Sequence, residues 1–124
     1  MAAQQKPNVL VVLLDDVGFM DFGSYGGDTA TPNIDKLAQQ GAKFSRFYTS
    51  PQCSPSRAML MTGKDNHQVG IGSIIESLDP RLRQYPAYSM IWEDDTKTMA
   101  SRLKESGYQT FVSGKWGIGE SGAN

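Results

Sequence analysis

The apolar positions of this chain fall into short, separated runs. Residues 8–14 are a near-continuous stretch of Val and Leu, apolar on both faces, and predict a buried parallel strand. Asp15 and Asp16 end it abruptly, and a glycine-rich loop follows. Thr31 and Pro32 then stand in the order of a helix start, a capping hydroxyl before a proline in the first turn. Ile34, Leu37 and Ala38 share one face of that helix, and Gly41 sits where a left-handed glycine would end it. Residues 42–48 alternate well enough for a second strand, with Phe44 on one face and Phe47 on the other. Ser54 and Pro55 repeat the cap-then-proline order and predict a helix over 57–61, closed by Gly63. Residues 64–95 carry glycines and prolines without a period, which reads as a long surface excursion of the kind that holds function. A third helix is expected over 96–106, with Met99 and Leu103 on one face and Gly107 after it, and a third strand over 108–113. Strand, helix, strand is the order of an α/β fold, here a partial, mainly parallel sheet flanked by helices. Its unpaired strands would leave an open edge for self-association.

Composition narrows the function. A chain of 124 residues holds one domain at most. A net charge of −1 offers no electrostatic footprint for nucleic acid, and the basic residues are too scattered to hold an anionic membrane. No apolar run is long enough to span a bilayer. Cys53 is the single cysteine, so no intrachain disulfide forms. No signal peptide is visible, and Ala2-Ala3-Gln4-Gln5 would suit a mature N-terminus, so a secreted or periplasmic mature form and a cytoplasmic one both remain open.

Three candidate sites follow predicted strands. In open α/β sheets ligands bind beyond the carboxyl ends of the strands, which would gather Asp15 and Asp16, Cys53, and Lys115 at one edge. Adjacent carboxylates repel one another, and a hard cation such as Ca2+ or Mg2+ would relieve that repulsion through oxygen ligands. Taken alone, the pair reads more readily as one loop-capping and one solvated carboxylate. Cys53-Ser54-Pro55-Ser56-Arg57 places a nucleophile at a helix start, where free amides and the positive dipole end favour an anion. Arg57 adds a planar donor fork suited to sulfate or phosphate. A buried thiol beside a surface arginine is the plainer reading of the same residues.

Cys-x-Pro-Ser-Arg, followed by Leu60 and then Thr62-Gly63, resembles the signature of the type I sulfatases, in the alkaline phosphatase-like superfamily. Three further stretches agree in order. Residues 7–18 resemble the family's opening strand and Asp-Asp-x-Gly loop, and residues 31–38 its first helix. Gly107-Tyr108-Gln109-Thr110 leading to Gly114-Lys115-Trp116 resembles its second signature. The resemblance implies an arylsulfatase-like sulfuric ester hydrolase acting on a small sulfate-ester substrate. A maturation enzyme would oxidise Cys53 to formylglycine. One hydroxyl of the hydrated aldehyde would attack sulfur, and loss of a proton from the other would reform the carbonyl and expel sulfate. By the same resemblance Asp15, Asp16 and the modified Cys53 would bind Ca2+, with Mg2+ as the alternative. Arg57 would stabilise the hydrate, and Lys115 the charge on the sulfate.

The chain departs from the family in two ways. Histidine usually follows Lys-Trp, and Gly117 stands there instead, so acid–base help worth roughly 10²–10⁴-fold is missing from that place. His67, the sole histidine, reads as a loop residue. Sulfatases are several times longer, and their remaining metal ligands, an acid and an amide, lie farther along. Residues 1–124 are therefore expected to be the N-terminal segment of a catalytic domain, incomplete by itself. Two readings compete with the sulfatase: a non-catalytic fragment of one, and a phosphodiester or phosphonate hydrolase of the same superfamily.

Overall fold

The computed structural model describes residues 6–92 and 95–119. The chain forms two compact units, Met1–Arg46 and Phe47–Asn124. The expectations for Ala2-Ala3-Gln4-Gln5 lie outside the described residues.

In the first unit two short 3-10 turns, Phe19–Asp21 and Gly23–Tyr25, precede helix α1, Pro32–Gln40. Pro32 opens α1 as its sequence predicts, since its missing N–H would have had no partner in the first turn. Thr31 flanks the helix but its hydroxyl caps no amide of α1. It donates to Asp35 Oδ1 at 2.8 Å and accepts from the Gly23 amide at 3.0 Å. Asp35 Oδ1 also accepts from the Ser24 amide at 2.7 Å, so the Gly23–Tyr25 turn is fastened to the first turn of α1. Lys43 donates to the Ser24 carbonyl at 2.8 Å, and its ammonium lies 5.5 Å from the centre of the Tyr25 ring. Gly41 is extended rather than left-handed, with φ −122°, and the helix ends on its N–H bonded to the Leu37 carbonyl.

In the second unit helix α2 spans Cys53–Thr62 and helix α3 Met99–Glu105. α2 begins earlier than predicted, with Gln52 rather than Ser54 as its N-cap. Pro55 is tolerated there because the first amides of a helix have no intrahelical carbonyl to meet. Gly63 ends α2 in the left-handed conformation, φ +68°. α3 is shorter than expected because Thr98 starts it: Thr98 Oγ1 accepts from the Ser101 amide at 3.1 Å while Ser101 Oγ accepts from the Thr98 amide at 2.9 Å. At its other end Gly107, φ +83°, and Tyr108 donate to the carbonyls of Lys104 and Leu103, a Schellman closure.

The core of this unit comprises Ala58, Val69, Ile71, Leu78, Met90 and Ile118, with Met61, Ile75, Tyr88 and Trp92 packed against it. Val69, Ile71, Leu78 and Met90 all belong to the segment expected to be a surface excursion. That segment instead turns through three 3-10 pieces, Ile75–Ser77, Pro80–Gln84 and Pro86–Tyr88, and folds its few apolar side chains inward. Met90 is buried at φ +61°, held there by its amide bonded to the Gly70 carbonyl at 2.9 Å.

The expected parallel sheet is not formed. Among the described residues there is no strand, only helices and turns, and this overturns the α/β assignment. Residues 8–14, 42–48 and 108–113 run without a ladder, and their Val, Leu and Phe side chains are exposed, Leu10 at 87% and Phe111 at 89%. Apolar runs report which side chains favour burial. A strand additionally requires a second backbone about 4.8 Å away to exchange hydrogen bonds. With no sheet, the open edge expected to drive self-association has no counterpart among the described residues.

Candidate active site

Cys53 is the first residue of α2 and is partly buried. Arg57 follows one turn later on the same face of the helix. It is largely buried, and its Nη1 donates to the Lys115 carbonyl at 2.8 Å. That bond holds the segment carrying Lys115 against α2, and the Lys115 Nζ stands 3.6 Å from the Cys53 sulfur. Three of the residues singled out from the sequence, Cys53, Arg57 and Lys115, are thus brought together. The arrangement is electropositive for two separate reasons. A helix N-terminus presents amide hydrogens and the positive end of its dipole, and an ammonium group is placed at the same atom. A nucleophile at this position would face an anionic substrate across that field.

Arg57 differs from expectation in one respect. It was expected to present a donor fork to an anion, and the structure shows one of its amino groups engaged by a backbone carbonyl.

The residue before the cysteine is also tied down. Gln52 Nε2 donates to Ser77 Oγ at 3.2 Å, and Gln52 Oε1 accepts from Ser73 Oγ at 3.2 Å. The Ser56 hydroxyl donates to the Ser50 carbonyl at 2.9 Å, bracing the loop that enters α2. Neither serine of the 73–77 turn could be read from the sequence, because they lie in a stretch without period. Trp116, next to Lys115, meets Trp92 edge-on with ring centres 5.7 Å apart.

Asp15 and Asp16 form a bend after residues 8–14 in the first unit, both exposed. Asp16 is left-handed, φ +54°, a conformation aspartate tolerates better than most residues. Two carboxylates are chemically suited to a hard divalent cation but supply a minority of the about 6–8 oxygens that Ca2+ takes. Among the described residues no group of three or more His, Cys, Asp or Glu side chains is gathered to hold a metal ion. His67 contacts Asp65 through Nδ1 at 3.2 Å and meets the Tyr88 ring edge-on.

The model of the family described as Sulfatase matches residues 7–123. The chain is 41% identical over 118 residues to an arylsulfatase of Klebsiella aerogenes, the match covering 95% of this chain and 25% of that protein. It is 39% identical over 127 residues to bovine arylsulfatase A, covering 99% and 24%. It is 40% identical over 121 residues to human steryl-sulfatase, covering 96% and 20%. The chain therefore spans about a quarter or less of the length of these relatives.

Proposed function

The chain belongs to the sulfatase family, and from that premise we propose that it carries the nucleophile and cationic groups of a sulfuric ester hydrolase, with Cys53 as the precursor of formylglycine. The observation that supports this most directly is the 3.6 Å approach of the Lys115 ammonium to the Cys53 sulfur at the start of α2. In the mature enzyme the oxygens of a hydrated aldehyde would stand where that sulfur stands, and such a group supplies both an oxygen nucleophile and a route for releasing sulfate. The site fits it: the side chain is small, partly open to solvent, set at the start of a helix and bordered by a cation.

The roles of the surrounding residues follow from their contacts. Lys115 stabilises negative charge on the sulfate oxygens as the ester bond breaks, an effect that acts most strongly where water is excluded. Arg57 holds the Lys115 backbone, and its charge adds to the same field. By the family resemblance Asp15 and Asp16 would supply two of the oxygens that hold a divalent cation, Ca2+ or Mg2+. The substrate is a small sulfate ester, of an aryl, sterol or sugar alcohol. Its identity rests on groups that contact the alcohol.

The test is production of the protein with an active formylglycine-generating enzyme, followed by labelling with an aldehyde-reactive probe and assay on 4-nitrophenyl sulfate and bis(4-nitrophenyl) phosphate. Labelling at position 53 with faster cleavage of the sulfate is the expected result. Faster phosphodiester cleavage would move the assignment to a phosphoester hydrolase. An unlabelled thiol, with the maturation enzyme active on a control substrate, would remove the proposal.

A further inference from the structure

Three glycines surround Lys115 and Trp116, and all three have positive φ: Gly114 at +106°, Gly117 at +62° and Gly119 at +71°. Their surroundings differ. A Cβ on Gly114 would meet nothing within 4 Å, so that glycine serves the turn alone. A Cβ on Gly119 would meet the Met90 carbonyl oxygen at 2.7 Å, a backbone atom of the core. A Cβ on Gly117 would meet Lys115 Cε at 3.1 Å, Lys115 Cγ at 3.4 Å and Arg57 Cδ at 3.4 Å. The stem of Lys115 therefore borders the space that a side chain at 117 would fill, and Cε would have to give by a few tenths of an ångström.

We infer that Gly117 is a positioning residue for Lys115: its bare α-carbon is the seat on which the lysine stem rests while the ammonium reaches position 53. This rests on the proposed role of Lys115 in sulfate-ester hydrolysis. The closest of the three contacts is to Cε, one bond from the ammonium and near the end of a flexible chain. An added methyl would therefore be relieved by moving the lysine rather than by moving the backbone, and the displaced group is the one facing Cys53. The 3.4 Å contact to Arg57 Cδ is ordinary van der Waals distance and leaves that buried side chain in place. A small misplacement of a group that stabilises transition-state charge has a large effect on rate. The absence of a side chain at position 117 is thus coupled to the conformation of the neighbouring lysine.

The test uses the unmodified thiol, so it depends on neither maturation nor sulfatase turnover. Cys53 is alkylated in parallel with iodoacetate, an anion, and iodoacetamide, its neutral analogue. The ratio of the two rates cancels the nucleophilicity of the sulfur and reports the local positive field. Lys115→Gln is expected to lower the ratio by about threefold, in keeping with one unit charge removed from a half-exposed site, and Gly117→Ala to lower it in the same direction by a smaller factor. Gly114→Ala, which imposes left-handed strain without a collision, is expected to leave it unchanged. If Gly117→Ala does not fold, Gly117→Asn takes its place, because Asn tolerates positive φ and still carries a Cβ. An unaltered ratio in the folded 117 variant, an equal fall in Gly114→Ala, an unaltered ratio in Lys115→Gln, or failure of both 117 variants to fold would each overturn the inference. A normal response of the ratio with no sulfate cleavage after maturation would instead remove the enzymatic proposal and leave the positioning role standing.

Discussion

The Arg57 guanidinium donates to the backbone carbonyl of Lys115 at 2.8 Å, across 58 positions of sequence. A charged side chain with most of its surface buried is therefore used to hold a loop, and the loop carries the ammonium that faces Cys53. Replacing Arg57 with Lys keeps the charge and removes the planar fork that reaches the carbonyl. Arg57→Lys should lower unfolding stability by about 1.5–3 kcal/mol, the range for hydrogen bonds to charged groups. Urea denaturation measures this, and the iodoacetate preference of Cys53 should fall in the same variant.

The position of the core makes a second prediction. Ile71 is fully buried, whereas Leu10 is 87% exposed. Ile71→Ala should cost about 2–5 kcal/mol. Leu10→Gln should change stability by no more than about 0.5 kcal/mol. Equal losses in the two variants would mean that residues 8–14 are packed in solution.

Helix α3 depends on its first residue contact. Thr98→Ala removes the hydroxyl that accepts from the Ser101 amide, at an expected cost of about 1 kcal/mol. Amide hydrogen exchange at Ser101 should accelerate, while exchange at Gly63, which closes α2, should not.

An exposed ion pair gives the pH prediction. Hydrogen bonds from the Arg81 side chain and then from its amide hold the Asp79 carboxyl below its usual value. A depressed carboxylate contributes stability above its unfolded pKa and loses it as pH falls through the folded one. In Arg81→Gln the Asp79 carboxyl should titrate at higher pH than in the parent, as followed by NMR of its side-chain carbon. Both groups are solvent-exposed, so the midpoint of thermal unfolding should barely respond.

Local chemistry was more legible in the sequence than long-range pairing. Pro32 opens α1, Gly63 closes α2 and Gly107 follows α3 because each depends on a few neighbouring backbone groups. Gly41 and Gly63 both follow helices, yet only Gly63 is left-handed, and nothing in the adjacent residues separates them. The meeting of Lys115 with Cys53 was expected from strand ends gathered at a sheet edge. The structure reaches it instead through Arg57, a contact that no periodicity encodes. Val69, Ile71, Leu78 and Met90 escaped detection as core because the chain turns every few residues there and leaves no period to read.

The unladdered run at 8–14 has a consequence for how this chain behaves when crowded. Seven uncharged residues rich in Val and Leu, without proline and open to solvent, have the composition of a segment that stacks into a cross-β zipper. Lys6 and Pro7 stand immediately before it, and Asp15 and Asp16 immediately after. In a register-matched stack each copy would bring two more carboxylates into a column of like charge, and proline would interrupt the ladder at the other end. Asp15 and Asp16 thus stand where charged residues serve as gatekeepers against stacking of an apolar segment.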